Sequence, residues 1–483
     1  CWQGGKENSD LCPRNLSEIN LRQVTAGTAI LLSLIKFLYF SIGHRELRYA
    51  SLPFNHNEPG WPAGGHAHAP QPALRGDITA DWVIVGAGFA GVAFARRLAE
   101  IKPELKIVIV DAFTTRESAS ARNSGFVIGL PHNIGSSTAE LKKAHAYRNL
   151  LQEGIRQLEQ EISQHNLQCD WEKVGKYHCQ AERGNDRILN EYSRHLDLMD
   201  EPWTLAYSDE LYHKLGTRFY SKGIFTPGCV LVNPAQLIAG LHHHLPENVQ
   251  RFENTPVLGI RTGSLAEVVT PFGTIRTAQV MLATNALSPE LRPGLARQAA
   301  MATFASITEP LTDAQLATLP PMQSWGVTPV NAIAGATFRF TTDRRFLIRQ
   351  HVIPALRGQV TAAQTHQATQ HHQRLFSKLY PTLNSVKITH TWSGTLSVTR
   401  NGAPQWGVLN RFICTAGGCN GAGVSKQTVA GSLLADFMLK QDNPHLADML
   451  SLGQASFMPP SPVLDIGIAL SLMKERFLGR KEN

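Results

Sequence analysis

The sequence predicts an α/β fold: a parallel sheet covered by helices, interrupted by an inserted second domain. Three observations predict it. The apolar run Trp82-Val83-Ile84-Val85 leads into Gly86-Ala87-Gly88-Phe89-Ala90-Gly91, and an alanine-rich stretch from Val92 to Glu100 follows. A second apolar run, Ile107 to Val110, ends in Asp111, twenty positions after Gly91. Far downstream, Phe412-Ile413-Cys414-Thr415-Ala416 opens another glycine-rich turn, Gly417 to Gly423, followed by helical spacing from Ser425 to Leu439.

The first two runs are short and continuously apolar, which suits strands buried on both faces. Glycines at the first, third and sixth positions of the turn have separate uses. Gly86 permits the tight turn, Gly88 lets backbone approach a pyrophosphate, and Gly91 lets helix pack on strand, with the positive helix N-terminus facing the phosphates. Asp111 then sits where a carboxylate accepts hydrogen bonds from a ribose. A purely structural packing turn would leave Asp111 and its spacing unexplained.

At 483 residues and 53.1 kDa the chain is long enough for two or three domains. A net charge of +8 with scattered Lys and Arg argues against nucleic-acid binding. Seven cysteines without a CxxC pair favour free thiols, a reducing compartment and a cytoplasmic location.

In chain order, Cys1 rather than methionine comes first, so residues 1 to 23 carry no weight in the reading. Val24 to Gly43 is about as long as a membrane span and contains one charge, Lys36, which makes it a candidate N-terminal anchor or a docked helix. Residues 52 to 76, rich in Pro, Gly and His, read as an arm. His66 and His68 lack further ligands nearby, and three consecutive helical positions, His242 to His244, diverge too far to share one ion, so no metal site is expected.

Ser118 to Phe126 is a run of small and hydrogen-bonding residues able to lay N–H groups along phosphates. Ala139 to His165 has helical spacing, and Cys169 to Tyr220 mixes short strands with polar helix. A helix is expected from Pro234 to His244, with strands near Gln250 to Phe252 and Thr255 to Ile260. Val280 to Ala286 reads as a parallel strand returning to the first domain. Thr337 to Gln350 reads as a hairpin around Thr342-Asp343-Arg344, with Phe338, Phe340, Phe346 and Ile348 on one face and Arg339, Arg345 and Arg349 on the other.

Read as an ordered set, GAGFAG, IVIVDA, SARNSGF, VLVNPAQLIAGL, MLATNAL, FRFTTDRRFL, WSG, TRNGAPQWG and GGCNGAGVSKQTVAGSLLAD resemble the FAD-dependent D-amino-acid oxidase-like family, nearest its gamma-glutamylputrescine oxidase and glycine/sarcosine oxidase branch. The resemblance runs from about Arg45 to Lys440. It implies a discontinuous Rossmann-like FAD-binding domain of the glutathione-reductase type with an inserted β-rich substrate domain. The expected layout is an extension over 1–44, an arm over 45–76, an FAD domain from 77–165, 222–288 and 390–444, a substrate domain from 166–221 and 289–389, and a tail over 445–483.

By the same resemblance, Gly86, Gly88 and Gly91 would hold the FAD pyrophosphate and Asp111 the adenosine ribose, although Glu is more usual at that position. Arg122, Asn123, Ser124 and Gly125 would lie along the pyrophosphate and isoalloxazine, and Val257 against the adenine. Gly394, Gly418, Asn420, Gly421, Gly423 and Val424 would line the flavin ring and ribityl chain, with Phe89, Ala90, Ala112, Ala283 and Thr284 completing the set. No cysteine matches a covalent attachment point, so noncovalent FAD is expected. The implied reaction oxidises the C–N bond of an amine or amino acid to an imine that water then hydrolyses, with oxygen or another electron acceptor downstream. Arg339 and Arg349 are the expected ligands of a substrate carboxylate. Two other readings remain open at this point: an NAD-dependent dehydrogenase, which Asp111 suits as well, and a flavin-binding protein without catalysis.

Overall fold

The strands flanking the first glycine turn pair as their composition demands. The computed structural model describes residues 46–48, 57–62, 70–131, 143–181, 186–287, 297–355, 359–460 and 462–482. Cys1–Arg45 is a unit separate from Glu46–Asn483. The apolar run Val24 to Gly43 therefore lies outside the described residues, as do His66 and His68.

In spatial order the first sheet runs Glu46–Arg48, Gly259–Thr262, Ala266–Thr270, Gly273–Leu282, Ile78–Val85, Ile107–Val110 and Val249–Phe252. Ile78–Val85 lies parallel to both neighbours, with Val85 opposite Leu282 on one side and Val110 on the other. Gly273–Leu282 is long enough to change partners along its free edge. Its first half pairs antiparallel with Ala266–Thr270, and its last three residues pair parallel with Ile413–Gly417, Met281 opposite Cys414. That exchange sets the second glycine turn beside the first.

Alternation along the strands divides the core in two. Trp82 and Ile84 face the helices Phe89–Ile101, Ala144–His165 and Gly423–Met438. Val83 and Val85 face the other way, onto Val257, Ile260 and Val268. Burying each such side chain stabilises the fold by about 1.5–3 kcal/mol. The strand expected over Thr255 to Ile260 pairs only from Gly259, because Thr255 instead donates its N–H to the Asp111 carbonyl at 2.7 Å.

The second sheet runs Ile388–Val398, Ala299–Thr308, Phe346–Pro354, Thr337–Phe340, Trp325–Pro329, Lys176–Gln180, Lys222–Thr226 and Thr204–Tyr207. Two of its strands include residues expected in the FAD domain. Lys222–Thr226 pairs with Lys176–Gln180, and Ile388–Val398 pairs along the whole of Ala299–Thr308. Sequence patterning marks a strand but not the sheet it joins, and here Lys222–Thr226 and Ile388–Val398 are strands of the second sheet.

The hairpin forms with the expected register, Phe338 opposite Ile348 and Phe340 opposite Phe346. This aromatic face packs with Trp325, Phe376 and Tyr380 beneath the helix Ala362–Leu379. Among the described residues, every strand of both sheets lies at Glu46 or beyond. Deleting residues 1–43 is therefore expected to leave the calorimetric unfolding transition in place, and a transition displaced downward by many degrees would instead show Val24 to Gly43 to be part of the core.

Candidate functional site

Between the glycine turns and the second sheet lies a cleft with a cavity of about 290 Å³. The first turn is shaped from within. A Cβ on Gly91 would stand 2.0 Å from the Gly86 carbonyl, and Gly86 itself has φ +109, so both positions exclude side chains. Gly88 caps the helix Phe89–Ile101 without any side-chain hydrogen bond. Ser120 Oγ accepts the Phe89 N–H at 3.2 Å, and Phe89 and Ala90 line the cleft at the positive end of the helix dipole.

Asp111 binds the turn from the neighbouring strand end. Its Oδ2 accepts from the Ala87 N–H at 2.8 Å and its Oδ1 from the Phe113 N–H at 3.0 Å. Burial pushes this carboxyl above its usual range, while the two backbone donors act in the opposite direction. Each oxygen keeps acceptor capacity toward the cleft, which both Asp111 and Ala112 line. Asp111→Ala is expected to weaken nucleotide binding by about 1.5–3 kcal/mol. An unchanged dissociation constant, measured by fluorescence titration of the apoprotein, would show that Asp111 serves the turn alone.

Behind the turn sits a buried polar network that sequence reading missed. Glu253 Oε1 accepts from Thr115 N–H, Thr115 Oγ1 and Arg251 Nη1 at 3.0, 2.7 and 2.8 Å. His242 Nε2 donates to the Ala87 carbonyl at 2.7 Å, so this histidine orients the turn from beneath. Four separated stretches contribute, and no local pattern announces them. Among the described residues no group of three His, Cys, Asp or Glu side chains is placed to hold a metal.

Most expected cofactor residues converge. Gly86, Gly88, Phe89, Ala90, Asp111, Ala112, Val257, Ala283 and Thr284 line the nucleotide end of the cleft. Arg122, Asn123, Ser124, Gly394, Gly421, Gly423 and Val424 line its middle. Arg122 Nε donates to the Ser393 carbonyl at 2.6 Å, which ties the Ser118 to Phe126 loop to the second sheet, and burial lowers its pKa to about 10.

Gly91, Gly125, Gly418 and Asn420 do not line the cleft. Asn420 works as a latch, its Oδ1 accepting from the Thr399 N–H at 2.8 Å and its Nδ2 donating to the Gly402 carbonyl at 2.8 Å. Gly125 lies against Arg339, too close to carry a side chain.

The two hairpin arginines part company. Arg339 is 1 % exposed and its Nη1 donates to the Val232 and Gly125 carbonyls at 2.6 and 3.1 Å, with the guanidinium 5.2 Å from the Trp61 ring. Its expected role as a carboxylate ligand is corrected: this cation braces backbone and lies outside the cleft wall. Arg349, opposite Thr337 across the hairpin, lines the cleft. Among the described residues no acid pairs with it; its one hydrogen bond is a long one to the Ala332 carbonyl at 3.4 Å, and burial lowers its pKa to about 10. It stays cationic at neutral pH.

The cleft also holds buried polar atoms that no described residue satisfies. Both amide atoms of Gln427 and the Oδ1 of Asn285 are buried without partners among the described residues, and both residues line the cleft. An uncompensated buried amide costs about 1–3 kcal/mol, so these groups point to a ligand. Taken with the helix N-terminus at Gly88 and the glycine turn, the donor set fits a dinucleotide lying from Asp111 to the second sheet.

Comparison with known proteins agrees. Residues 81–437 match the family model DAO, FAD dependent oxidoreductase. A probable oxidoreductase OrdL of Haemophilus influenzae is 27 % identical over 374 residues, 75 % of this chain and 84 % of that protein. Gamma-glutamylputrescine oxidoreductase of Escherichia coli is 24 % identical over 398 residues, 79 % of this chain and 89 % of that one. In fold, a glycine oxidase crystal structure from Geobacillus kaustophilus superposes with a TM-score of 0.64 at 19 % identity, covering 79 % of this chain and all of that one. With the family model spanning far more than half of the sequence and the cleft shaped for its cofactor, this chain belongs to the DAO family of FAD dependent oxidoreductases.

Proposed function

We propose that the protein oxidises the C–N bond of an amine that also carries a carboxylate, with FAD bound noncovalently. The observation that carries the reading is Arg349, a desolvated cation in the cleft wall with no acid beside it among the described residues. A guanidinium pairs bidentately with a carboxylate, and in a desolvated wall it would hold the substrate in one orientation. Thr337, Thr328 and His178 share that end of the cleft, and Phe126, Ile128, Ala305 and Leu396 supply apolar walls that exclude water. When bound, FAD supplies the electron sink of the reaction. The chain's own part is to bind, orient and desolvate the amine; no side-chain base is required, because a neutral amine can give up its C–H electrons as hydride.

The name of the Escherichia coli relative supports the same substrate class, since gamma-glutamylputrescine contains an amine and a carboxylate. Turnover of the flavin-loaded protein with matched pairs of amines, one bearing a carboxylate and one lacking it, tests the reading. The carboxylate-bearing member is expected to react about tenfold faster or more at subsaturating concentration. Equal rates across the pairs would remove the carboxylate from the substrate definition.

A further inference from the structure

The helix Val463–Leu478 turns apolar side chains to opposite sides. Inward, Leu472 is buried and Ile468 packs with Met301 and Val352 of the second sheet. Outward, Val463, Ile466, Leu470, Met473 and Phe477 recur at alternating intervals of three and four, and they are 61, 59, 61, 64 and 66 % exposed. Scattered exposed apolar residues are ordinary, but a continuous stripe on one helix marks a surface that something covers.

Charge tells what covers it. Lys474 is exposed beside the stripe, and Arg480 stacks its guanidinium 4.4 Å from the Phe477 ring. The acids nearby turn away. Glu475 Oε2 accepts from Asn331 Nδ2 at 3.2 Å, Glu482 Oε2 accepts from the Ala181 N–H at 3.0 Å, and Asp465 sits half-buried in the first helical turn, off the stripe. The outward face is therefore apolar and cationic.

We infer that this face docks on an anionic lipid surface, with the helix lying in the plane of the interface. A second copy offering the same face would bring cations to cations without an acid to answer them. A phosphate-bearing lipid surface supplies both apolar depth and negative charge. The helix is roughly 24 Å long at 1.5 Å per residue, and no helix among the described residues is long and apolar enough to cross a membrane, so the contact is peripheral. Gly479, just past the helix, lies too close to Ala334 for a side chain, and Ala332 in the same loop accepts from Arg349. Docking therefore brings the substrate end of the cleft next to the lipid.

Co-sedimentation of the full, flavin-loaded chain with vesicles of equal phosphatidylglycerol and phosphatidylcholine, against phosphatidylcholine alone, tests this. Leu470→Glu/Phe477→Glu is expected to lower the bound fraction on anionic vesicles by about tenfold, and Lys474→Glu/Arg480→Glu by several-fold, with flavin absorbance unchanged in both. Residues 24–43 are present in every sample, so the differences report the C-terminal helix. Equal binding by wild type and Leu470→Glu/Phe477→Glu would overturn the inference, as would equal binding to neutral and anionic vesicles. So would a wild-type dimer, seen by sedimentation, that the same variant dissolves while vesicle binding persists, which would assign the face to a second copy.

Discussion

Gly88→Val is expected to give a folded protein that no longer retains FAD. The position has an ordinary backbone conformation, so valine adds no φ strain. Its Cβ would stand 2.9 Å from Ser120 Oγ, the acceptor of the Phe89 N–H, and its methyl groups would fill the space through which the first-turn donors reach the phosphates. Gly91 makes the instructive contrast. A Cβ there meets the Gly86 carbonyl at 2.0 Å, so Gly91→Val would disturb the strand–helix packing and lose the cofactor indirectly. For Gly88→Val the affinity is expected to fall at least about a hundredfold, about 2.8 kcal/mol, with a cooperative unfolding transition retained. Stoichiometric visible flavin absorbance in the purified variant would show that the pyrophosphate lies elsewhere.

Arg349→Ala is expected to cost about 2–4 kcal/mol in kcat/KM toward a carboxylate-bearing amine, because it removes a charge-assisted pair from a desolvated wall. Most of the loss should appear in KM, since the carboxylate is held alike in ground and transition states. Toward the matched amine without a carboxylate the variant should differ little from wild type. Arg339→Ala supplies the control: it removes a buried donor from the Val232 carbonyl and one of two donors from the Gly125 carbonyl, so it should lower the unfolding temperature without changing the ratio of rates between paired substrates. An Arg349→Ala protein with wild-type kcat/KM on its best substrate would end the assignment of that arginine, while the FAD cleft would stand.

How much of this was legible beforehand follows the range of each interaction. The glycine turn, the strand ending in Asp111 and the hairpin register are local patterns, and periodicity alone places Phe338 opposite Ile348. Hairpin parity was not enough to separate Arg339 from Arg349. Their residues share a sheet face, yet one guanidinium meets carbonyls from two other segments and the other meets the cleft. Gln427 was accessible in principle, four residues beyond Gly423 and so on the same side of the late helix, but a buried amide without a partner is visible only once its surroundings are known.

By itself, then, the sequence determined the α/β class and the nucleotide turn, because these depend on backbone requirements written into a few consecutive residues, whereas FAD rather than NAD was implied only by resemblance to a known family. Tertiary structure alone decided which sheet Lys222–Thr226 and Ile388–Val398 join, that His242 and Glu253 brace the turn from behind, and that Arg349 rather than Arg339 faces the cleft. The physical reason is the same in each case. Strand edges, buried hydrogen bonds and unpaired charges are satisfied by partners tens to hundreds of residues away, and only the folded chain brings those partners within hydrogen-bonding distance.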